Sequence, residues 1–292
     1  MARPSSSRCL GSAPQPKFRL VTSGATMDPA QIFYWAILVF AGLACGLLNT
    51  LASSGTAVSL PILILALGVN EGIANATNRL PVLAGAIMAT YSFARRGQMD
   101  WSAAIRLVPP AALGSILGTK AATALTDRQL EHFVNGAILI ALILLFTKLK
   151  EILARTPDRL PDIHWRGMLL IFAVGFWLGF IVLDGATYLM IVLMLFFFYD
   201  LPQANALKSL LLAVTSLLPV LIFAHDGKIL WEEGGVLALG SIAGGYLGAV
   251  LSNLPQSRKI AFRMLAFVIS LEFVQLVWRT TAPFRAWLAR EV

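Results

Sequence analysis

The chain has 292 residues, of which 58% are hydrophobic and only 13% charged, with a mean hydropathy of +0.76. That balance excludes an ordinary soluble domain and places the chain in a lipid bilayer. The net charge of +8 and a pI near 9.9 do not mark nucleic-acid binding, because the cations stand at the ends of apolar runs rather than on one basic face, as the topology of a membrane protein requires.

Lipid cannot hydrogen-bond exposed backbone, and the apolar runs lack the alternation of barrel strands. The expected fold is therefore all-α, a polytopic helical membrane protein with 8 to 10 hydrophobic helical segments, some short, broken or re-entrant. Residues 1–30 read as a disordered N-terminal extension; the first 26 are rich in Ser, Pro, Gly and Arg and lack the apolar core of a secretory signal, and Met27 is a second candidate start. Apolar runs follow at 31–51, 55–68, 72–94, 102–124 and 129–147, forming a first transmembrane unit over 31–147. A polar linker at 148–167, broken at Pro157, Pro161 and Gly167, leads into a second unit over 168–280. Its runs lie at 168–183, 185–199, 203–224, 231–251 and 260–278, and a cationic tail at 281–292 ends the chain. Cys9 and Cys45 cannot build a disulfide framework, since one lies in the polar extension and the other inside the first apolar run.

The two units read as homologous repeats. ANATNRL at 74–80 returns as ANALKSL at 204–210, Gly97 and Trp101 return as Gly227 and Trp231, and Gly114 and Gly118 return as Gly244 and Gly248. Duplicated apolar halves are how many secondary transporters build a site at their shared interface. The second run of each half is too short to span, since 14 or so helical residues reach only about 21 Å against a hydrocarbon core of about 30 Å. Each starts at a break, Ser53-Ser54-Gly55-Thr56 in one half and Asp184-Gly185-Ala186-Thr187 in the other, and matching breaks point to the binding site.

Arg79 and Lys208 carry the expected chemistry. Each follows its copy of the AN-A motif inside an apolar run, where a cation costs on the order of 3 kcal/mol unless it meets a cavity or partner. Two such cations would form an anion site; the alternative is that each snorkels to an interface. Asn75, Thr77, Asn78 and Asn205 supply neutral donors on the same helices, with interhelical bonding as their alternative. Ser53, Ser54, Gly55 and Thr56 would add backbone N–H groups at the positive end of a half-helix. Asp184 and Glu272 are candidate proton carriers, with an N-cap and a structural ion pair as their respective alternatives.

Glycine pairs spaced four apart, Gly42/Gly46, Gly114/Gly118, Gly175/Gly179, Gly240/Gly244 and Gly244/Gly248, read as close helix contacts, and Trp101 and Trp231 as interfacial anchors. If each half makes four net crossings, the side holding both termini collects most of the 23 cations, leaving Lys120, Arg128, Arg258, Lys259 and Arg263 opposite. The positive-inside rule prefers that arrangement, with cytoplasmic termini, to an inverted five-plus-five one.

The segments ATNRL at 76–80, ARRGQMDW at 94–101, ANALKSL and GGYLG at 244–248 resemble the sulfite exporter TauE/SafE family, also called the 4-toluene sulfonate uptake permease family, over about 35–280. The resemblance implies movement of sulfite or an organosulfonate across a prokaryotic cytoplasmic membrane, with Arg79 and Lys208 in the place of the motif lysines. Two departures stand out, NTLASSGTAVSLP at 49–61 and LDGATYL at 183–189, both poorer in glycine than the family pattern. The expected function is a secondary transporter of a small anion, not an enzyme, in a multi-pass cell-membrane protein without cofactor or metal site. Its partners would be the anionic substrate and the lipid bilayer, not nucleic acid, with a homo-oligomer left open. The rivals are an intramembrane hydrolase on Ser53 or Ser54, for which His132, His164 and His225 are badly placed, and a cation carrier using Asp184 and Glu272.

Overall fold

A computed structural model describes residues 28–126, 129, 133, 162–182, 185–254, 256, 259–260, 263 and 270. Among these residues every regular element is helical: α1 (Pro29–Ala52), α2 (Thr56–Leu67), α3 (Glu71–Thr77), α4 (Arg79–Arg95), α5 (Trp101–Thr123), α6 (Trp165–Phe180), α7 (Gly185–Leu195), α8 (Leu201–His225) and α9 (Trp231–Leu251). Asp184 and Glu272 lie outside the described residues, as do nearly all of the runs at 129–147 and 260–278, most of the linker, nearly all of the N-terminal extension and the C-terminal tail.

Three helices, α1, α8 and α9, are long and apolar enough to cross a membrane. Their outer faces carry large apolar side chains, among them Phe33, Phe40, Leu221 and Leu239, all more than half exposed, as a lipid-facing surface requires. Short second helices are found where the sequence placed them. With 12 and 11 residues, α2 and α7 reach only about 17–18 Å.

Glycine sets the helix spacing. Gly42 and Gly46 of α1 face α9, where an added Cβ would come within 2.0 Å of the Leu237 carbonyl oxygen and 2.2 Å of that of Ser241. Gly114 and Gly118 of α5 meet α6 in the same way, at 2.2 Å from the Phe172 oxygen and 1.9 Å from that of Phe176. Gly175, Gly179, Gly240 and Gly244 answer from the other side of these contacts. Backbones approach this closely only where no Cβ intervenes, and the resulting dispersion contact holds helices together in lipid, where no hydrophobic force acts between them. Thus α1 rests on α9 and α6 on α5, each pair joining segments far apart in sequence. Between the pairs sits an apolar cluster that includes Phe93, Leu107, Ile171, Leu189, Phe197, Leu207 and Leu211, all fully buried.

The run at 72–94, expected as one helix, is broken at Asn78 into α3 and α4. Pro81 is the reason: without an N–H it cannot bond the Thr77 carbonyl, and its ring crowds that oxygen. Leu211 stands 130 residues further on, and α8 runs unbroken through it. The later Pro219 does fit inside α8, because the Thr215 carbonyl it leaves without a partner accepts a 2.9 Å hydrogen bond from Ser115 Oγ. Both α4 and α8 end on a left-handed glycine, Gly97 (φ 69°) and Gly227 (φ 65°), with Gln98 N–H and Lys228 N–H bonded back to Phe93 and Phe223 carbonyls.

Candidate functional site

Helix α1 stops at Ser53, which takes a left-handed conformation (φ 63°, ψ 18°) and leaves the last carbonyls of the helix without intrahelical donors. Lys208, on the second turn of α8 and 1% exposed, reaches them. Its Nζ donates to Asn49 O at 2.9 Å, Thr50 O at 3.0 Å, Ser53 Oγ at 2.9 Å and Asn205 Oδ1 at 2.8 Å. A cation at a helix C-terminus is favoured by the macrodipole as well as by these charge-assisted bonds. Asn49 closes the turn from its other side, its Oδ1 accepting from Gly55 N–H at 3.2 Å.

The end of α6 is built likewise with different residues. Arg79, fully buried at the start of α4, donates from Nη1 to Leu178 O and from Nη2 to Gly179 O, the latter at 2.9 Å. Beyond Phe180 the chain turns extended, and Asn75 holds it there, donating from Nδ2 to Phe180 O at 3.3 Å and accepting at Oδ1 from Val182 N–H at 3.4 Å. Thr119 Oγ1 adds a 3.1 Å bond to Gly179 O.

The two breaks meet. Thr187 Oγ1 on α7 donates to Ser53 O at 3.2 Å, so the polar residues at the end of α1 and those after α6 form one belt crossing the interior. All ten residues expected to bind substrate, Ser53, Ser54, Gly55, Thr56, Asn75, Thr77, Asn78, Arg79, Asn205 and Lys208, are buried. Snorkelling is overturned: neither cation reaches the surface, because each is held at a helix end within the fold. Most of the remaining residues have local work. Gly55 N–H is taken by Asn49, and Thr77 Oγ1 accepts from Leu230 N–H at 3.1 Å, fastening the start of α9.

Three of the ten keep polar atoms with no hydrogen-bond partner: Ser54 Oγ, both Asn78 Oδ1 and Nδ2, and Arg79 Nε. Asn78 occupies the N-cap position of α4 without capping it. Buried polar atoms without partners are rare in folded proteins and call for a ligand, a water or an ion. Among the described residues the acceptors that Arg79 and Lys208 bond are all neutral, carbonyls, a hydroxyl and an amide. These two cations are the charged groups among the described residues of the belt, and neutral acceptors solvate them.

Sequence reasoning missed Asn49, Ser115, Thr119 and Thr215. Asn49 was visible as an amide closing an apolar run just before the Ser53 break, and Pro219 announced a carbonyl at Thr215 in need of a donor. Nothing local in the sequence marks Thr119 as the neighbour of Gly179.

The family model for the TauE/SafE sulfite exporters matches residues 38–273. The chain belongs to that family. Its curated relatives are named probable membrane transporters: one from Haemophilus influenzae is 27% identical over 73% of this chain and 83% of its own length. YfcA of Escherichia coli K12 is 27% identical over 83% of this chain and 89% of its own, and ORF9 of a Sinorhizobium species is 24% identical over 87% and 96%. No solved structure matches. The protein is a membrane transporter.

Proposed function

We propose that the protein is a secondary transporter of a small anion, sulfite or an organosulfonate, in the cytoplasmic membrane of a prokaryotic cell, with two homologous halves enclosing the site. One observation carries the reading: Arg79 and Lys208 lie fully buried on a belt where two helix breaks meet, with no carboxylate partner among the described residues. In a low-dielectric interior, uncompensated positive charge favours an anion strongly. Unpartnered donors at Asn78 and Arg79 suit the oxygens of a sulfur oxyanion. The sulfite-exporter family to which the chain belongs and its probable-transporter relatives support the same reading. Bacterial relatives point to the prokaryotic membrane. Asp184 and Glu272 remain the proposed proton carriers that would couple transport to a gradient.

The Ser53–Lys208 contact has the composition of a Ser–Lys nucleophile pair, yet it does not support a hydrolase. A lysine acting as base needs its lone pair aimed at the serine, and this Nζ is shared with three further acceptors, Asn49 O, Thr50 O and Asn205 Oδ1, that hold it to the end of α1. The test is flux of radiolabelled sulfite, sulfate and a small sulfonate in proteoliposomes under an imposed pH gradient. The expected result is transport of a sulfur oxyanion by the wild type and its loss in Arg79→Gln protein that still folds. Absence of flux for all three anions would overturn the reading.

A further inference from the structure

The geometry points to a division of labour between the two halves of the belt, in which Asn78 and Arg79 contact the anion while Lys208 positions the break and never touches it. This inference rests on the anion reading above and refines it. Lys208 has three protons and four acceptors within 3.0 Å, so it has none left for a substrate. Its acceptors belong to α1, to Ser53 and to its own helix, and holding them fixes the turn that carries Ser54. Arg79 is different. Two of its nitrogens grip α6, but Nε is buried with no partner, and the neighbouring Asn78 offers an amide whose two polar atoms are also buried and unpartnered.

A guanidinium held by two carbonyls whose Nε–H stays unpartnered, one residue along the chain from an unpartnered amide, offers donors for the oxygens of one oxyanion. Arg79 does not have to leave the α6 carbonyls to bind, so the second helix end stays capped while the ligand is held. Ser54 Oγ, on the turn that Lys208 organises, is the remaining unpartnered donor of the belt.

The test is sodium sulfite, sodium sulfate or methanesulfonate binding to the purified full chain in detergent, by calorimetry, with the melting temperature of each protein recorded without ligand. Asn78→Ala breaks no hydrogen bond between protein groups, so its melting temperature falls only by what the vacated side-chain volume costs, while binding weakens about tenfold or more, as expected for losing a donor to a charged group. Ser53→Ala, which keeps the Lys208 charge in place, lowers the melting temperature and leaves the dissociation constant within about threefold. Unchanged binding in Asn78→Ala overturns the inference and gives its amide to a buried water. Lost binding at an unmoved melting temperature in Ser53→Ala overturns it from the other side, by placing the α1 end of the belt on the ligand. A wild type that binds none of the three anions overturns the anion reading itself.

Discussion

The end of α1 and the end of α6 are closed by the same device made from different parts. At α1 the chain turns through a left-handed serine, and one lysine saturates itself on four neutral acceptors. At α6 the chain leaves extended, an arginine takes two carbonyls, an asparagine takes the next carbonyl and amide, and a threonine shares the load. Lys208 stands 130 residues after Asn78, not after Arg79, so the cation sits one position later in the first segment and the matching position holds an unpartnered amide. The shift teaches where function has room. Lys208 spends its donors on its own helix end, whereas Asn78 and Arg79 keep donors to spare for the proposed anion.

The sharpest way to break this comparison is to remove each cation. Lys208→Met strips a donor from four buried acceptors and should cost about 3–5 kcal/mol of stability, whereas Arg79→Met, with Asn75 and Thr119 left to hold the α6 end, should cost about 2. Thermal unfolding in detergent measures both, and a larger loss for Arg79→Met would show that the α1 end is the less dependent of the two.

Helix contacts offer a second test, because the glycines at the two junctions are nearly equivalent in closeness. Gly118→Ala and Gly42→Ala each drive a Cβ to about 2 Å from a facing carbonyl oxygen and should each cost about 2 kcal/mol as the helices separate. Gly235→Ala meets nothing within 4 Å and should be neutral or stabilise α9 by about 0.5 kcal/mol. Loss confined to one junction would mean that α1 on α9 and α6 on α5 do not carry equal weight. Thr187→Ala removes the hydroxyl that ties the breaks together and should cost about 1 kcal/mol while reducing transport more than stability.

Much of this architecture was legible in the sequence because hydropathy and spacing are local. The extent of α9 matched to the residue, and the glycine pairs read as close contacts proved to be so. The Asn78 break was missed although Pro81 announces it, because an apolar run hides a lost backbone bond that hydropathy does not count. The partners of Arg79 and Lys208 were missed for a deeper reason. Each cation caps a helix about 100 or more positions away in sequence, and no local pattern says which carbonyls a buried cation will meet.

The starts of α5 and α9 give the smallest and finest comparison. Both open on a tryptophan more than half exposed, yet they are capped differently. Asp100 Oδ1 accepts from Ala103 N–H at 3.0 Å, and Oδ2 accepts from Tyr199 Oη at 2.7 Å. Burial pushes the Asp100 carboxyl up, but these bonds, that from Ser102 N–H and the nearby Arg106 charge outweigh it and hold the group below the usual aspartate value. A carboxyl lowered in the folded state contributes stability above its unfolded pKa of about 4 and loses it as pH falls through the folded value. Leu230, at the start of α9, has no capping side chain of its own; its N–H donates to Thr77 Oγ1, a group that does not titrate. Asp100→Asn keeps a capping side chain and should cost less than about 1 kcal/mol at neutral pH, while flattening the decline of melting temperature below about pH 4. Thr77→Val should lower the whole curve without altering its dependence on pH. Equal flattening by both substitutions would show that the acid response arises elsewhere, and the two starts would then differ in sequence but not in mechanism.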